Sequence, residues 1–223
     1  MMKFKFPVII SIVGLLAFAA CKKGDDTAIA TQSTSINFIN ATGDTINFYV
    51  NGNRLNTAAS LYPLSASGYL STPLGNQNYQ VKKNKSAVVL YSLSLPLDTG
   101  KVYSFYTTGN TAESAFSTVD TLKSVQSKFA LVRFVNTSPN AGNLDFTVND
   151  SLKYLARAYK SSSNYLAIGP GLKRLVVKKA GTIDTLSIDT RILLQGRAYT
   201  IFTKSSLTST RSTTPATGII INR

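Results

Sequence analysis

Most of this chain is written twice. Phe38 and Asn40 return as Phe134 and Asn136, Ser67 and Tyr69-Leu70 as Ser163 and Tyr165-Leu166, and Gly75 as Gly171. Val81-Lys82-Lys83 returns as Val177-Lys178-Lys179, and Leu97, Gly100 and Tyr103 return as Leu193, Gly196 and Tyr199, all at a spacing of 96 residues. The one local slip is a loop after Asn136 that is two residues longer than the loop after Asn40. So many identities in one register mark a tandem duplication. Two copies are too few for a solenoid, which needs about three or more repeats, and a unit of this length can bury its own core.

Within each copy the apolar residues alternate as in half-buried strands. The pattern predicts inward-facing Ile36, Phe38, Ile46, Phe48, Val50, Tyr79 and Val81 in the first copy, and Val132, Phe134, Leu144, Phe146, Val148, Leu175 and Val177 in the second. Asn51-Gly52 is a two-residue hairpin signal, because both turn positions need positive φ. Asn149-Asp150 takes its place in the second copy. Both copies close with Leu-x-x-Gly-x-x-Tyr, at Leu97–Tyr103 and Leu193–Tyr199. That turn into a strand looks like the tyrosine corner of immunoglobulin-like sandwiches, where a Tyr hydroxyl bonds back to nearby backbone. About seven short strands per copy fit the architecture. The first copy is expected to end near Gly109, with Asn110–Lys128 joining the copies or adding a last strand, and Gly218-Ile219-Ile220-Ile221 reads as a final strand. The expected fold is all-β: two tandem immunoglobulin-like antiparallel β-sandwich domains at residues 35–127 and 128–223.

Residues 1–34 read differently. Lys3 and Lys5 precede an apolar run from Pro7 to Ala20, and small residues lead into Cys21, the chain's only cysteine. A basic start, a short apolar run and a small-residue cut site make a secretory signal, and the run is short for a spanning helix, which needs about 20 residues. Phe18-Ala19-Ala20-Cys21 resembles a bacterial lipoprotein signal, with Phe18 where Leu is usual. The resemblance implies cleavage between Ala20 and Cys21 (signal peptide 1–20) and acylation of Cys21. The mature chain would then hang from the membrane by acyl chains, with residues 21–34 as a flexible tether. Lys22-Lys23-Gly24-Asp25-Asp26 looks like the surface-export signal of Bacteroidetes lipoproteins. It implies an outer-membrane lipoprotein exposed at the cell surface.

Arg133-Phe134-Val135-Asn136-Thr137-Ser138-Pro139, then Asp145-Phe146-Thr147-Val148-Asn149 and Gly196-x-x-Tyr199-Thr200, resemble the domain-of-unknown-function family 4397. The resemblance covers most of both copies and is clearer in the second, since the first lacks the Ser-Pro. The family brings no activity to carry over.

The residues give no catalytic constellation. The chain has no His, which excludes a Ser-His-Asp site and removes the commonest general base. No zinc or EF-hand spacing is present, so no metal and no cofactor is expected. Gly169-Pro170-Gly171 lies between strands and is a turn, not a phosphate loop. One Cys excludes an internal disulfide.

Charge is more informative. Residues 33–127 hold six basic and four acidic side chains, whereas residues 128–223 hold fourteen and four, so the copies carry net charges of +2 and +10. Lys173, Arg174, Lys178 and Lys179 form the candidate basic contact face, in a strand where Leu175 and Val177 face inward. Such a face suits an anionic glycan, lipopolysaccharide or an acidic protein; equally, lysines on a sheet serve solubility and block edge pairing. Export makes nucleic acid a poor partner despite the charge. Tyr49, Tyr62, Tyr91, Tyr106, Tyr159 and Tyr165 could line a sugar-binding face or pack within the sandwiches. The expectation is a non-enzymatic binding or structural module on the cell envelope. The alternatives are an accessory subunit of an outer-membrane glycan-uptake complex and an exported hydrolase using a Ser-Lys or carboxylate pair.

Overall fold

The computed structural model describes residues 33–120, 128–207 and 216–222. Ala20, Cys21 and residues 22–32 of the expected tether lie outside the described residues, whereas Ser33 and Thr34, also expected in the tether, belong to the first strand, where they pair with Pro73 and Thr72. Thr31–Arg223 is one compact unit. Its first half contains β1 (Ser33–Asn40), β2 (Ile46–Val50), β3 (Asn53–Arg54), β4 (Ala66–Pro73), β5 (Gly75–Lys83), β6 (Val89–Leu97), β7 (Val102–Thr107) and β8 (Ala115–Val119). Its second half contains β9 (Ala130–Val135), β10 (Leu144–Val148), β11 (Leu152–Arg157), β12 (Leu166–Ile168), β13 (Gly171–Lys179), β14 (Thr185–Leu193), β15 (Ala198–Thr203) and β16 (Thr217–Ile221). Among the described residues there is no α-helix, only a short 3-10 turn at Ala112–Ser114.

Each half is a sandwich of two four-stranded sheets. In the first, β4-β1-β7-β8 faces β3-β2-β5-β6; in the second, β12-β9-β15-β16 faces β11-β10-β13-β14. The order of strands is the same in both, and in each the first strand runs parallel to the seventh. The segment after Gly109 adds an eighth strand, β8, and the Ile-rich end of the chain is its counterpart, β16.

The expected inward residues make the cores. Phe38 stacks on Phe48 with ring centroids 4.3 Å apart, and Phe134 stacks on Phe146 at 4.6 Å. All fourteen inward-facing residues expected from the alternation are buried. The identities between copies also have local reasons. The Asn40 amide donates to the Asp44 and Leu61 carbonyls while its oxygen accepts from Thr42 N–H. Asn136 does the same with Gly142, Arg157 and Ser138. Each asparagine therefore ties together three backbone groups of the loops around it. Ser67 and Ser163 accept from Phe38 N–H and Phe134 N–H at 3.0 and 2.9 Å. The Asn51-Gly52 turn has φ of 48° and 83°, and Asn149-Asp150 has 49° and 59°.

Both tyrosine corners are present. The Tyr103 hydroxyl accepts from Asp98 N–H at 3.0 Å, and the Tyr199 hydroxyl accepts from Leu194 N–H at 2.9 Å. Tyr199→Phe is expected to cost about 1 kcal/mol, the net worth of one such bond, with no change of fold. Urea unfolding checks it.

A third core joins the two halves. Ile39, Ala41 and Tyr106 meet Val135, Phe202 and Ile220. These residues point away from their own sandwich interiors, so the sheet holding β1 and β7 packs against the sheet holding β9 and β15. The layers therefore run β5-sheet, β1-sheet, β9-sheet, β13-sheet. Tyr106 meets Phe202 edge-on at 6.2 Å and stacks on Phe116 at 4.9 Å. Ser205 N–H donates to the Ala41 carbonyl across the seam.

Candidate functional site

Two polar constellations stand out: a buried one in the seam and an open one on the outermost sheet of the second sandwich.

The seam holds a closed ring of hydrogen bonds. Arg133 pairs with Asp120 through one guanidinium nitrogen, and its Nε donates to Thr200 Oγ1 at 2.6 Å. Thr200 donates to Asn222 Oδ1 at 2.5 Å, Asn222 Nδ2 donates to the Tyr69 hydroxyl at 2.8 Å, and Tyr69 donates back to Asp120 Oδ2 at 2.6 Å. Ser104 adds a second donor to that carboxylate oxygen, also at 2.6 Å. The Arg133 guanidinium lies over the Tyr165 ring, 5.0 Å from its centroid. Arg133 and Asp120 are only 3% and 4% exposed.

The ring is built from matching positions of the two copies. Tyr69 corresponds to Tyr165 and Ser104 to Thr200 in the 96-residue register. Asp120 and Asn222 each follow the eighth strand of their copy, and each donates its N–H to the residue that opens the seventh strand, Val102 or Ala198. The duplication has diverged at two of these positions: Asn37 stands in the first copy where the second has Arg133, and Asp120 stands where the second has Asn222. One copy thus supplies the cation and the other the anion. Burial works against the Arg133 charge, but the fields of Tyr106 and Asp120 outweigh it and leave the guanidinium more firmly protonated than usual. Nothing in this arrangement is open for a substrate. It fixes how the two sandwiches meet.

Burial also pushes the Tyr69, Tyr91, Tyr106 and Tyr154 hydroxyls up, Tyr106 to about 12. A group whose pKa is raised on folding stabilises the fold below its unfolded value, about 10 for Tyr, and loses that contribution as pH rises past it. Thermal melting is therefore expected to fall steeply above about pH 10. A melting temperature unchanged between pH 9 and 11.5 would contradict it.

Neither Asp120 nor Arg133 stands out in the sequence as a site residue. A signal was present: Phe105-Tyr106, Phe134-Val135 and Ile201-Phe202 put apolar residues on both sides of their strands, which marks burial on both faces.

The four candidate basic residues sit on one strand but do not form one face. Arg174 and Lys178 point outward with Val176, paired across to Thr190 and Thr185 on β14. Lys173 and Lys179 alternate to the other side, at opposite ends of β13. The Lys173 ammonium donates to the Pro170 carbonyl at 3.1 Å, and Lys179 is exposed. On β11, Lys153 stands beside Thr147 on the outward side. Among the described residues none of Lys153, Lys173, Arg174, Lys178 and Lys179 pairs with a carboxylate. The carboxylates that do form ion pairs (Asp44, Asp98, Asp120 and Asp189) have other partners. Asp145, the one carboxylate on this outward face, accepts instead from Ala156 N–H and Gly181 N–H.

The tyrosines do not share a face. Tyr91 and Tyr106 are buried, and Tyr62 is exposed. Tyr159 bonds Thr108 across the seam at 2.6 Å, Tyr165 covers Arg133, and Tyr49 lies under Lys82 at 4.4 Å. Among the described residues no group of three or more His, Cys, Asp or Glu is placed to hold a metal ion.

No curated protein matches the chain. The family model described as Domain of unknown function (DUF4397) matches residues 34–147 and again residues 130–217. The first match takes in the first sandwich and runs on into β9 and β10; the second spans the second sandwich as far as the start of β16. Together they cover most of the sequence, and the chain belongs to the DUF4397 family.

Proposed function

We propose that this protein is a lipid-anchored component of the cell envelope that works as a non-enzymatic binding module, and that its second sandwich makes the contact with an anionic partner. The observation that carries the reading is the contrast between two copies of one fold. The second copy has a net charge of +10 against +2, and its outermost sheet carries cations without carboxylate partners. The seam consumes the other sheet of each sandwich, so the outer sheets are the broad surfaces left for contact. The lipoprotein-like signal at Phe18–Cys21 supports the anchor.

Binding of Thr31–Arg223 to anionic glycans, lipopolysaccharide and acidic proteins over a salt series tests the contact. Binding that weakens with salt and falls in Arg174→Asn is expected. Binding that is indifferent to both would contradict the assignment. For the anchor, Cys21→Ser is expected to move the protein from the membrane fraction to the soluble fraction, and retention with the membrane would refute it.

A further inference from the structure

The outward side of β13 and β14 can be compared with its counterpart position by position. Leu172 lies opposite Ile192, Arg174 opposite Thr190, and Val176 opposite Ile188. Ninety-six residues earlier the same pairs are Asn76 with Pro96, Asn78 with Ser94, and Gln80 with Ser92. The first copy thus builds the same two-strand surface from polar residues and a proline. Val176 is covered within the fold at 3% exposed, but its aliphatic neighbours are open. Leu172 and Ile192 are each 66% exposed, and Leu155 on the neighbouring β11 is 61% exposed. Leucines and isoleucines grouped on an open face, with cations set among them, mark a surface that something covers.

We propose that this face rests on an anionic lipid surface. Leu155, Leu172, Ile188 and Ile192 enter the boundary between headgroups and acyl chains, and Lys153, Arg174 and Lys178 meet headgroup phosphates. A hydrated glycan has no use for exposed aliphatic side chains. A second copy of the chain would set Arg174 and Lys178 against themselves on a molecule whose two copies carry net charges of +2 and +10. A lipid surface supplies both missing complements, apolar and negative. The proposal rests on the reading that Cys21 is acylated, and the dimensions agree with it. Residues 22–32, at about 3.3–3.6 Å each when extended, reach up to roughly 40 Å. The sheet holding β1, where the tether enters, lies two layers from the sheet holding β13, about 20 Å at ordinary sheet spacing. The tether is long enough to let this face lie on the membrane that holds the anchor.

The test is co-sedimentation of Thr31–Arg223, which contains all three cores, with vesicles of phosphatidylglycerol and phosphatidylcholine or of phosphatidylcholine alone. Binding to the anionic vesicles that weakens with salt is expected. Leu172→Asn/Ile188→Ser/Ile192→Ser, which installs polar residues at exposed positions, is expected to weaken it about tenfold or more. Arg174→Asn is expected to weaken it roughly fivefold, and Lys82→Ser on the first copy to leave it unchanged. Circular dichroism confirms that each variant is folded. Vesicle binding that survives the triple variant would overturn the face assignment. A dimer that the triple variant dissolves would make a second copy the occupant. Salt-sensitive binding to a glycan or acidic protein with none to vesicles would overturn the lipid proposal and leave the anionic-contact reading standing. Absence of binding to vesicles, glycans and proteins alike would defeat both.

Discussion

Asp120→Ala is expected to destabilise the protein by about 3–5 kcal/mol, the usual cost of removing one partner of a buried ion pair. The substitution leaves the Arg133 charge buried with Thr200 as its remaining hydrogen-bond acceptor, and it strips acceptors from Tyr69 and Ser104. Denaturant unfolding measures the loss. The comparison is Asp44→Ala, which breaks the Lys83–Asp44 pair, whose side chains are both nearly half exposed. That change is expected to cost at most about 1 kcal/mol. Equal effects at the two sites would mean that the seam is wet and that the ring contributes no more than a surface pair.

Phe202→Ala is expected to cost a similar amount, about 3–5 kcal/mol, as a large ring removed from a closed core. Phe202 is fully buried in the seam, not inside either sandwich. Its ring lies so close over Gly218 that a Cβ there would fall 2.2 Å from it. Glycine at that place on β16 is what lets the tip of the phenyl ring come so close to the strand. If the seam were a loose contact between independent domains, Phe202→Ala would cost less than about 1 kcal/mol, as surface changes usually do. Phe134→Ala, inside the second sandwich, would remain severe, and comparing the two separates the cases.

The interiors of the sandwiches were legible in the sequence because a strand repeats every two residues and the chain states its pattern twice. Phe38 and Phe134 could be placed inward with the residues alternating around them, and the hairpin at Asn51-Gly52 and the corners at Tyr103 and Tyr199 followed from local backbone chemistry. The seam was not legible in the same way. Its residues occupy the outward positions of the same strands, Ile39 beside Phe38 and Val135 beside Phe134, where alternation alone assigns solvent. Asp is most often a turn residue, and nothing local in the sequence sets Asp120 apart from that. Two of its partners, Tyr69 and Ser104, come from other strands of its own sheet, and the third, Arg133, arrives only when the two copies meet. The candidate contact face was half legible. Charge located it on the second copy, but strand alternation divides Lys173 and Lys179 from Arg174 and Lys178, and the exposed aliphatic residues between the cations escape any count of charge.

The seam also bears on function. By burying one sheet of each sandwich it leaves the outer sheets, the basic one among them, as the broad open faces. That the two copies are joined into one unit is therefore the claim on which the rest depends. Differential scanning calorimetry of Thr31–Arg223 tests it most directly. A single transition is expected, with calorimetric and van't Hoff enthalpies equal, as for one cooperative domain. Two separable transitions, or a calorimetric enthalpy about twice the van't Hoff value, would show the sandwiches unfolding independently and would contradict it.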